Sequence, residues 1–145
     1  MNIPIKVDYG VRALVDIAMN GDGNPVRASV IAGRTSIPEP YLAQVLHGLS
    51  RNGIIKSVRG PLGGHLLAKP PSEIRLSKVM ACLGGTETPV ACLDDASSCI
   101  HVPACAQREV WRNVAETVFK ILDSTTIEDL VNRTRSNPAR IEAVV

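Results

Sequence analysis

The sequence predicts a mainly α-helical fold that carries one small β-hairpin. Apolar residues recur at helical spacing in three segments near the N-terminus, and two short apolar runs separated by a glycine-rich turn follow them. A further helical pattern, at about residues 104–122, comes after a stretch rich in turn-forming residues. The chain has 145 residues, of which 45% are apolar, so it is long enough for one core with an appended element.

The first two helices are placed by their apolar spacing and by the break between them. Helix one is predicted at residues 6–20, where Val7, Val11 and Leu14 share one face. A run of glycine, aspartate, asparagine and proline at residues 21–25 ends it. A short second helix is predicted at about residues 28–33.

A third helix is predicted at about residues 38–52. Pro38 falls in its first turn, where a missing backbone N–H costs least. Ser36, with Glu39 three residues later, resembles a capping box and predicts that the helix begins at Ser36, and the alternative is that Pro40 shifts the cap to Ile37.

A hairpin follows the third helix. Residues 54–58 read as a strand, residues 59–64 as a turn and residues 65–68 as the returning strand. The order helix, helix, helix, hairpin is that of a winged helix-turn-helix domain, which we place at residues 1–83.

The rest of the chain divides into a loop at residues 84–103, a helical part at residues 104–136 and a tail at residues 137–145 that we expect to be mobile. The helical part is predicted to hold a long helix and a short one. Two apolar stripes on the long helix predict two partners, the chain's own domain and a second subunit, so it is interpreted as a dimerisation helix. The alternative is one broad face that packs on the chain's own core. The stripes are Val110, Val114, Val118 and Ile121, and Trp111, Ala115, Phe119 and Leu122.

Composition and charge narrow the class of function. The net charge is +2, but residues 1–69 hold eight Lys or Arg against four acids, a balance that favours a surface facing phosphates. No apolar run approaches the roughly 20 residues needed to span a membrane, and no signal peptide opens the chain, so we expect a cytoplasmic protein with reduced thiols. An enzyme is not expected, because no phosphate-binding glycine loop, nucleophile elbow or paired catalytic histidines occur.

The winged-helix interpretation assigns a DNA-reading surface to the third helix and the hairpin. The N-terminal part of a recognition helix faces base edges, where glutamine pairs with adenine and hydroxyls reach phosphate or base. Arg59, flanked by Gly60, is predicted to enter the minor groove or bind a phosphate, although taken alone it reads as a solvated turn charge. The candidate DNA-contacting residues are Thr35, Ser36, Pro38, Tyr41, Gln44, Arg51, Arg59 and Gly60.

Three cysteines, Cys92, Cys99 and Cys105, form an incomplete ligand set in and beside the loop. Thiols in a reducing compartment indicate metal binding or redox chemistry before disulfides. With His101 they could form a zinc site, although no two-residue gap typical of zinc occurs, and without a metal they could act as oxidisable thiols. Cys82 lies at a helical position and reads as a small buried apolar residue.

Several motifs in this chain resemble those of the IscR and NsrR family of winged-helix transcription regulators. They are Asp8-Tyr9-Gly10-Val11-Arg12-Ala13-Leu14, Ile37-Pro38-Glu39-Pro40-Tyr41-Leu42 and Arg59-Gly60-Pro61-Leu62-Gly63-Gly64-His65. The resemblance covers nearly the whole chain, and it departs at His65, where the family usually has Tyr. It implies a homodimer that binds a palindromic operator in double-stranded DNA.

The resemblance also implies an iron–sulfur cluster, [2Fe-2S] or [4Fe-4S], held by Cys92, Cys99 and Cys105, with the first gap one residue longer than in many members. In some members a His three residues after the last Cys is the fourth ligand, but here Arg108 stands there. In others the ligand is an acid from helix one of the partner subunit, which matches Asp8 here.

The sequence offers more than one candidate for the fourth cluster ligand and for the signal that the protein senses. Asp8 has an equally good structural role as an ion-pair partner of Arg12 near a helix N-terminus. His101 is the second choice, and Asp94, Asp95 and Glu109 are weaker ones. The function expected is a regulator whose operator affinity is controlled by the cluster in response to cluster or iron status, oxidants or nitric oxide. The alternative is a cluster-free winged-helix regulator or adaptor that uses thiols or zinc.

Overall fold

The structure, a computed structural model, describes residues 3–85, 88–137 and 139. Within these residues it contains six α-helices and one antiparallel hairpin, which confirms the predicted fold class. The elements are α1 Ile5–Asn20, α2 Ala28–Thr35, α3 Glu39–Arg51, β1 Ile55–Val58, β2 Gly64–Leu67, α4 Leu76–Cys82, α5 Arg108–Ser124 and α6 Ile127–Arg135.

Helix α1 lies at the centre of the core and contacts α2, α3, α4, α6 and β2. Its buried side is formed by residues at helical spacing, among them Val7, Leu14 and Ile17. Gly10 permits the close approach of Leu83, the residue that follows α4, because a Cβ at position 10 would lie 2.3 Å from Leu83 Cδ1. The domain is therefore built around the helix that opens it.

An ion pair fixes α2 against α1. Arg34 Nε and Nη2 each donate a 2.9 Å hydrogen bond to the carboxylate of Asp16, whose side chain is buried. Asn20 Nδ2 donates to the same carboxylate at 3.1 Å. This bidentate contact orients α2 relative to α1.

The start of α3 differs from the prediction. The helix begins at Glu39 with Pro38 as its N-cap residue, and Ser36 instead ends α2 in the left-handed conformation, with φ 56°. The predicted start at Ser36 and its capping box are therefore wrong. The physical reason is the proline at position 38, since the residue before a proline avoids the helical conformation and Ile37 cannot join α3. Ile37 is buried between the two helices.

The hairpin pairs Ile55 with Leu67 at its base and Val58 with Gly64 near its tip. It is attached to the α1–α2 loop by a bridge between Val26 and His65, with N–H to O distances of 2.8 Å in both directions. Gly64, at φ 149°, is required there, because a Cβ would lie 2.5 Å from the Val26 carbonyl. The wing is thus held on the domain through β2.

Helix α5 begins at Arg108, later than the predicted residue 104. Pro103 lies in a short 3₁₀ turn at Val102–Ala104, and Cys105 follows that turn outside the helix. No residue of α5 is buried within one chain, whereas α6 packs on α1 and adds Ile127 and Val131 to the core. The predicted long and short C-terminal helices are both present; the second adds buried residues to the core, whereas the first contacts α4 and packs only the half-buried Leu122 against the core.

A capping box opens α6. Thr126 Oγ1 accepts a hydrogen bond from Asp129 N at 3.1 Å, and the Asp129 carboxylate accepts one from Thr126 N at 2.8 Å. No helix in the described part of the chain is both long and apolar enough to cross a bilayer. Most of the tail predicted at residues 137–145 lies outside the described residues.

Candidate functional site

The outer face of α3 carries polar side chains without internal partners. Leu42, Val45 and Leu49 bury the inner face, while Tyr41 and Gln44 are exposed on the other side. Neither of the two exposed side chains makes a hydrogen bond or ion pair within the described residues. His47, Arg51 and, at the N-terminus, Pro38 are also exposed. The face is free to contact a groove of duplex DNA.

Thr35 and Ser36 lie outside α3. Thr35 is the last residue of α2, and its Oγ1 donates a 2.6 Å hydrogen bond to the carbonyl of Ile31. Ser36 is exposed in the turn between the two helices. These two predicted contact residues therefore precede the recognition helix instead of opening it.

The wing tip presents a cation on a tight turn. Arg59 and Gly60 are exposed, and Gly60 adopts φ 105°, a conformation that favours glycine. The Gly60 carbonyl accepts a 2.9 Å hydrogen bond from Gly63 N, and Arg27 Nη2 donates to the carbonyl of Pro61. These two hydrogen bonds stabilise the turn, so the exposed guanidinium of Arg59 extends from an ordered backbone.

The three loop cysteines line one open depression of about 680 Å³. All three are half-buried, and none forms a disulfide. We call this the cysteine depression and define it by six of its lining residues, Cys92, Cys99, His101, Cys105, Arg108 and Trp111. The structure thus brings together the three predicted thiol ligands and the second-choice ligand His101.

The thiols are gathered but not arranged around a metal position. Among the described residues, no three His, Cys, Asp or Glu side chains are close enough together to hold a metal ion. The two acids of the loop are engaged locally: Asp94 accepts a hydrogen bond from Thr88 Oγ1, and Asp95 accepts from Ser97 N at 2.9 Å and Ser97 Oγ at 2.7 Å. The Ser97 hydrogen bonds hold the pKa of Asp95 below its usual value.

Arg108 is the residue of this site that sequence reasoning missed. Its Nη2 donates a 3.1 Å hydrogen bond to the carbonyl of Cys92, and its Nε is buried without a hydrogen-bond partner in the described part of the chain. A buried unmatched donor costs about 1–3 kcal/mol, and more when charged. The sequence pattern identifies Arg108 only as a position without a histidine ligand, and the signal for its role is an arginine three residues after the last cysteine.

Asp8 lies elsewhere in its own subunit. Its carboxylate forms an ion pair with Arg12 at 2.7 Å, and the Arg12 guanidinium stands 5.7 Å from the centre of the Tyr9 ring. Asp8 is not among the residues that line the cysteine depression. Within one chain, the structure therefore does not bring Asp8 to the thiols.

A second connection that the sequence did not reveal lies at the far end of α5. Asp123 accepts 2.8 Å hydrogen bonds from Ser77 Oγ and Arg75 Nη1, and these contacts lower its pKa, the Ser77 hydrogen bond most strongly. Backbone hydrogen bonds from Leu76 N to Thr125 O at 3.0 Å and from Ile127 N to Ile74 O at 2.9 Å run beside them. Helix α5 thus joins the cysteine depression at one end to the winged-helix domain at the other.

Cys82 is separate from this site. It is half-buried and packs against the core, in agreement with its interpretation as an apolar residue. Burial raises the pKa of its thiol, an effect that Lys78 partly offsets. Its environment therefore opposes formation of a thiolate.

A three-helix unit with a braced wing and an exposed polar recognition face defines a winged-helix DNA-binding protein. The family model that matches residues 3–133 is Rrf2, described as an iron-dependent transcriptional regulator, and the chain belongs to this family of DNA-binding transcription regulators.

Relatives named CymR and relatives named IscR are similar to this chain at about the same level of sequence identity. CymR of Bacillus subtilis is 33% identical over 134 residues, which cover 92% of each chain. Its solved structure, described as that of the global cysteine regulator, matches with a TM-score of 0.78 over 92% of this chain and 98% of that one. IscR of Klebsiella pneumoniae is 33% identical over 132 residues, covering 91% of this chain and 80% of the relative. The structure of T. potens IscR matches at 29% identity with a TM-score of 0.75 over 92% of this chain and 88% of that one.

Proposed function

We propose that this chain is a homodimeric transcription regulator, working in the cytoplasm, whose affinity for a palindromic operator is controlled by an iron–sulfur cluster on Cys92, Cys99 and Cys105. The observation that carries the proposal is the convergence of three unpaired thiols on one depression at the start of α5. Thiolates are the ligands that iron–sulfur clusters take most often. The unmatched donor of Arg108 in the wall suits an anionic group. The donor chemistry of the depression therefore fits a cluster, whose binding would draw the three thiols around one position.

The exposed face of α5 supports the dimer. Five large apolar side chains are exposed on this one helix in a single chain. Three of them, Val110, Val114 and Ile121, share one face at helical spacing, and an exposed apolar stripe of this kind is typical of an interaction surface. A second copy of α5 is its natural partner, because a two-fold axis places two copies of α3 at a fixed spacing for a palindromic site. The exposed residues are Val110, Trp111, Val114, Phe119 and Ile121.

When bound, the cluster supplies a centre whose charge, ligands and integrity respond to iron, oxidants or nitric oxide. The chain's own residues convert that response into a change of shape. As ligands, Cys92 and Cys99 would order the loop, and Cys105 would fix its junction with α5, which begins at Arg108. Asp123 and Arg75 hold the other end of α5 on the winged-helix domain. Whether the loop is closed or open would therefore decide which relative placement of the two recognition helices is favoured.

One experiment tests the proposal as a whole. The protein is purified without oxygen, and its absorption and Mössbauer spectra are recorded before and after titration with oxygen and with nitric oxide. We expect a coloured protein whose spectrum changes with one or both titrants. A colourless protein that carries stoichiometric zinc would contradict the proposal.

Asp8→Ala tests the fourth ligand. If Asp8 of the partner subunit completes the ligand set, its removal weakens or alters the cluster, and the visible spectrum of the anaerobic dimer changes in shape or intensity. Glu73→Ala, which removes an exposed acid from the turn before α4, is the matched control. An unchanged spectrum in Asp8→Ala removes that residue from the ligand set and leaves His101 as the next candidate.

Asp123→Asn tests the connection between α5 and the DNA-binding domain. Asparagine keeps an acceptor for Ser77 but loses the charge that pairs with Arg75. We expect normal cluster absorbance together with a smaller difference in operator affinity between the cluster-loaded and cluster-free forms, measured by fluorescence anisotropy. Glu116→Gln on the exposed surface of the same helix is the control. An undiminished difference in Asp123→Asn would contradict the connection.

A second candidate function is a thiol-based regulator without a cluster. The similarity to CymR and the absence of a preformed metal arrangement among the described residues favour it. In that case metal-free protein would bind the operator, and oxidation of the thiols would change its affinity reversibly with dithiothreitol. The anaerobic spectra separate the two candidates, because the thiol regulator has no visible iron–sulfur bands.

A further inference from the structure

Arg108 is the one permanently charged residue among the described side chains that line the cysteine depression. It follows Cys105 by three residues and is the first residue of α5. Its guanidinium has two different environments. Nη2 is satisfied by the carbonyl of Cys92 at 3.1 Å, while Nε is buried and unmatched within the described part of the chain.

The unmatched Nε indicates a missing acceptor. Arginine stays charged at every accessible pH, so this donor cannot be neutralised by losing a proton. Most buried side-chain donors in folded proteins have a partner, and an exception calls for a group that is absent from the bare chain. The remaining lining residues offer thiols, one imidazole, one indole, one amide, one hydroxyl and apolar groups, and none of these accepts a hydrogen bond from Nε.

We infer that Arg108 is a positioning residue for the proposed cluster: its Nη2 bond fixes the loop at Cys92, and its Nε–H donates to a sulfur of the bound group. This inference rests on the proposed function and adds a role for a residue that is not a ligand. Hydrogen bonds to cluster sulfurs and nearby positive charge are two of the ways in which a protein sets a cluster's reduction potential. Arg108 supplies both from one side chain at the boundary between loop and α5.

Two variants separate these contributions. Arg108→Lys keeps a positive charge that can still reach the Cys92 carbonyl but has no Nε–H, whereas Arg108→Gln removes the charge as well. Arg112→Gln, an exposed arginine four residues further along α5, is the matched control. Each full-length dimer is loaded with cluster anaerobically, and its folding is checked by circular dichroism.

Three measurements report on the inferred contact. The first is the shift of the Fe–S stretching bands in resonance Raman spectra between H₂O and D₂O, which we expect to be smaller in both Arg108 variants than in the unaltered protein. The second is the midpoint potential, titrated with dithionite, which we expect to move to more negative values in Arg108→Gln. The third is cluster loss to a chelator, expected to be about 10- to 100-fold faster in Arg108→Gln, the range found for residues that support metal ligands.

The outcomes distinguish this inference from the proposed function. An unaltered protein that takes up no cluster would overturn both. A normal cluster in the unaltered protein with the same D₂O shift, potential and loss rate in Arg108→Lys and Arg108→Gln would overturn the inference alone. Should glutamine prevent cluster uptake, Arg108→Lys decides, and a D₂O shift equal to that of the unaltered protein overturns the role of Nε.

Discussion

Replacing Cys92, Cys99 and Cys105 together by alanine is expected to abolish the visible absorbance of the anaerobically purified protein while the dimer stays folded. The three side chains are half-buried in and beside the loop, and none belongs to the hydrophobic core. No disulfide constrains them. Their loss therefore removes the thiolates that a cluster needs without creating a cavity in the domain.

The control for this variant is Cys82→Ala. Cys82 packs on the core and does not line the cysteine depression, so its replacement is expected to leave the spectrum unchanged. Size-exclusion chromatography and circular dichroism verify that both variants remain folded dimers. A visible band that survives in the triple variant, or one that disappears in Cys82→Ala, would contradict the assignment of the ligands.

The second large effect is expected on DNA binding. Gln44→Ala removes an exposed amide from the outer face of α3 without disturbing the buried face. A glutamine that pairs with a base edge contributes about 1–3 kcal/mol to discrimination, so we expect a loss of operator affinity of roughly tenfold or more. Binding to a scrambled duplex is expected to change little. The measurement is fluorescence anisotropy with the two duplexes side by side.

Arg59→Ala is expected to act differently, because its partner is predicted to be the DNA backbone or minor groove. Loss of one phosphate contact weakens operator and scrambled duplex alike and reduces the slope of log affinity against log salt by about 1. Lys120→Ala, which removes a charge from α5 instead of the wing, is the control. If operator binding were insensitive to both Gln44→Ala and Arg59→Ala, the DNA-reading assignment would be wrong.

Local patterns were sufficient to predict most of the fold. The apolar spacing of α1 and α3 and the paired runs around the glycine-rich turn depend on neighbours within a few residues, and all three elements appear close to their predicted bounds. The predicted starts of α3 and α5 were wrong, because the backbone conformation just before each helix sets where it begins. Pro38 excludes Ser36 from α3, and a 3₁₀ turn at Val102–Ala104 takes the place of the predicted start of α5, which begins at Arg108.

The sequence predicted the thiols of the site but not the contacts that support them. The spacing of three cysteines in a turn-rich loop was a sufficient signal for a ligand set, and the structure places all three on one depression. The contacts that support them were not visible, because they join residues distant in sequence. Arg108 reaches back 16 residues to Cys92, and Arg75 meets Asp123 across 48 residues. Helical and strand periodicities relate residues only a few positions apart, so they do not predict such pairs.

The central claim is that the state of the cysteine depression changes affinity for DNA. Its most direct test compares the operator affinity of one anaerobic preparation before and after removal of the cluster by a chelator, at fixed salt and protein concentration. We predict a change of about 5- to 150-fold, the range of a typical coupling between two sites, and its disappearance in the triple cysteine variant. Equal affinity of the cluster-loaded and cluster-free dimers would contradict the claim.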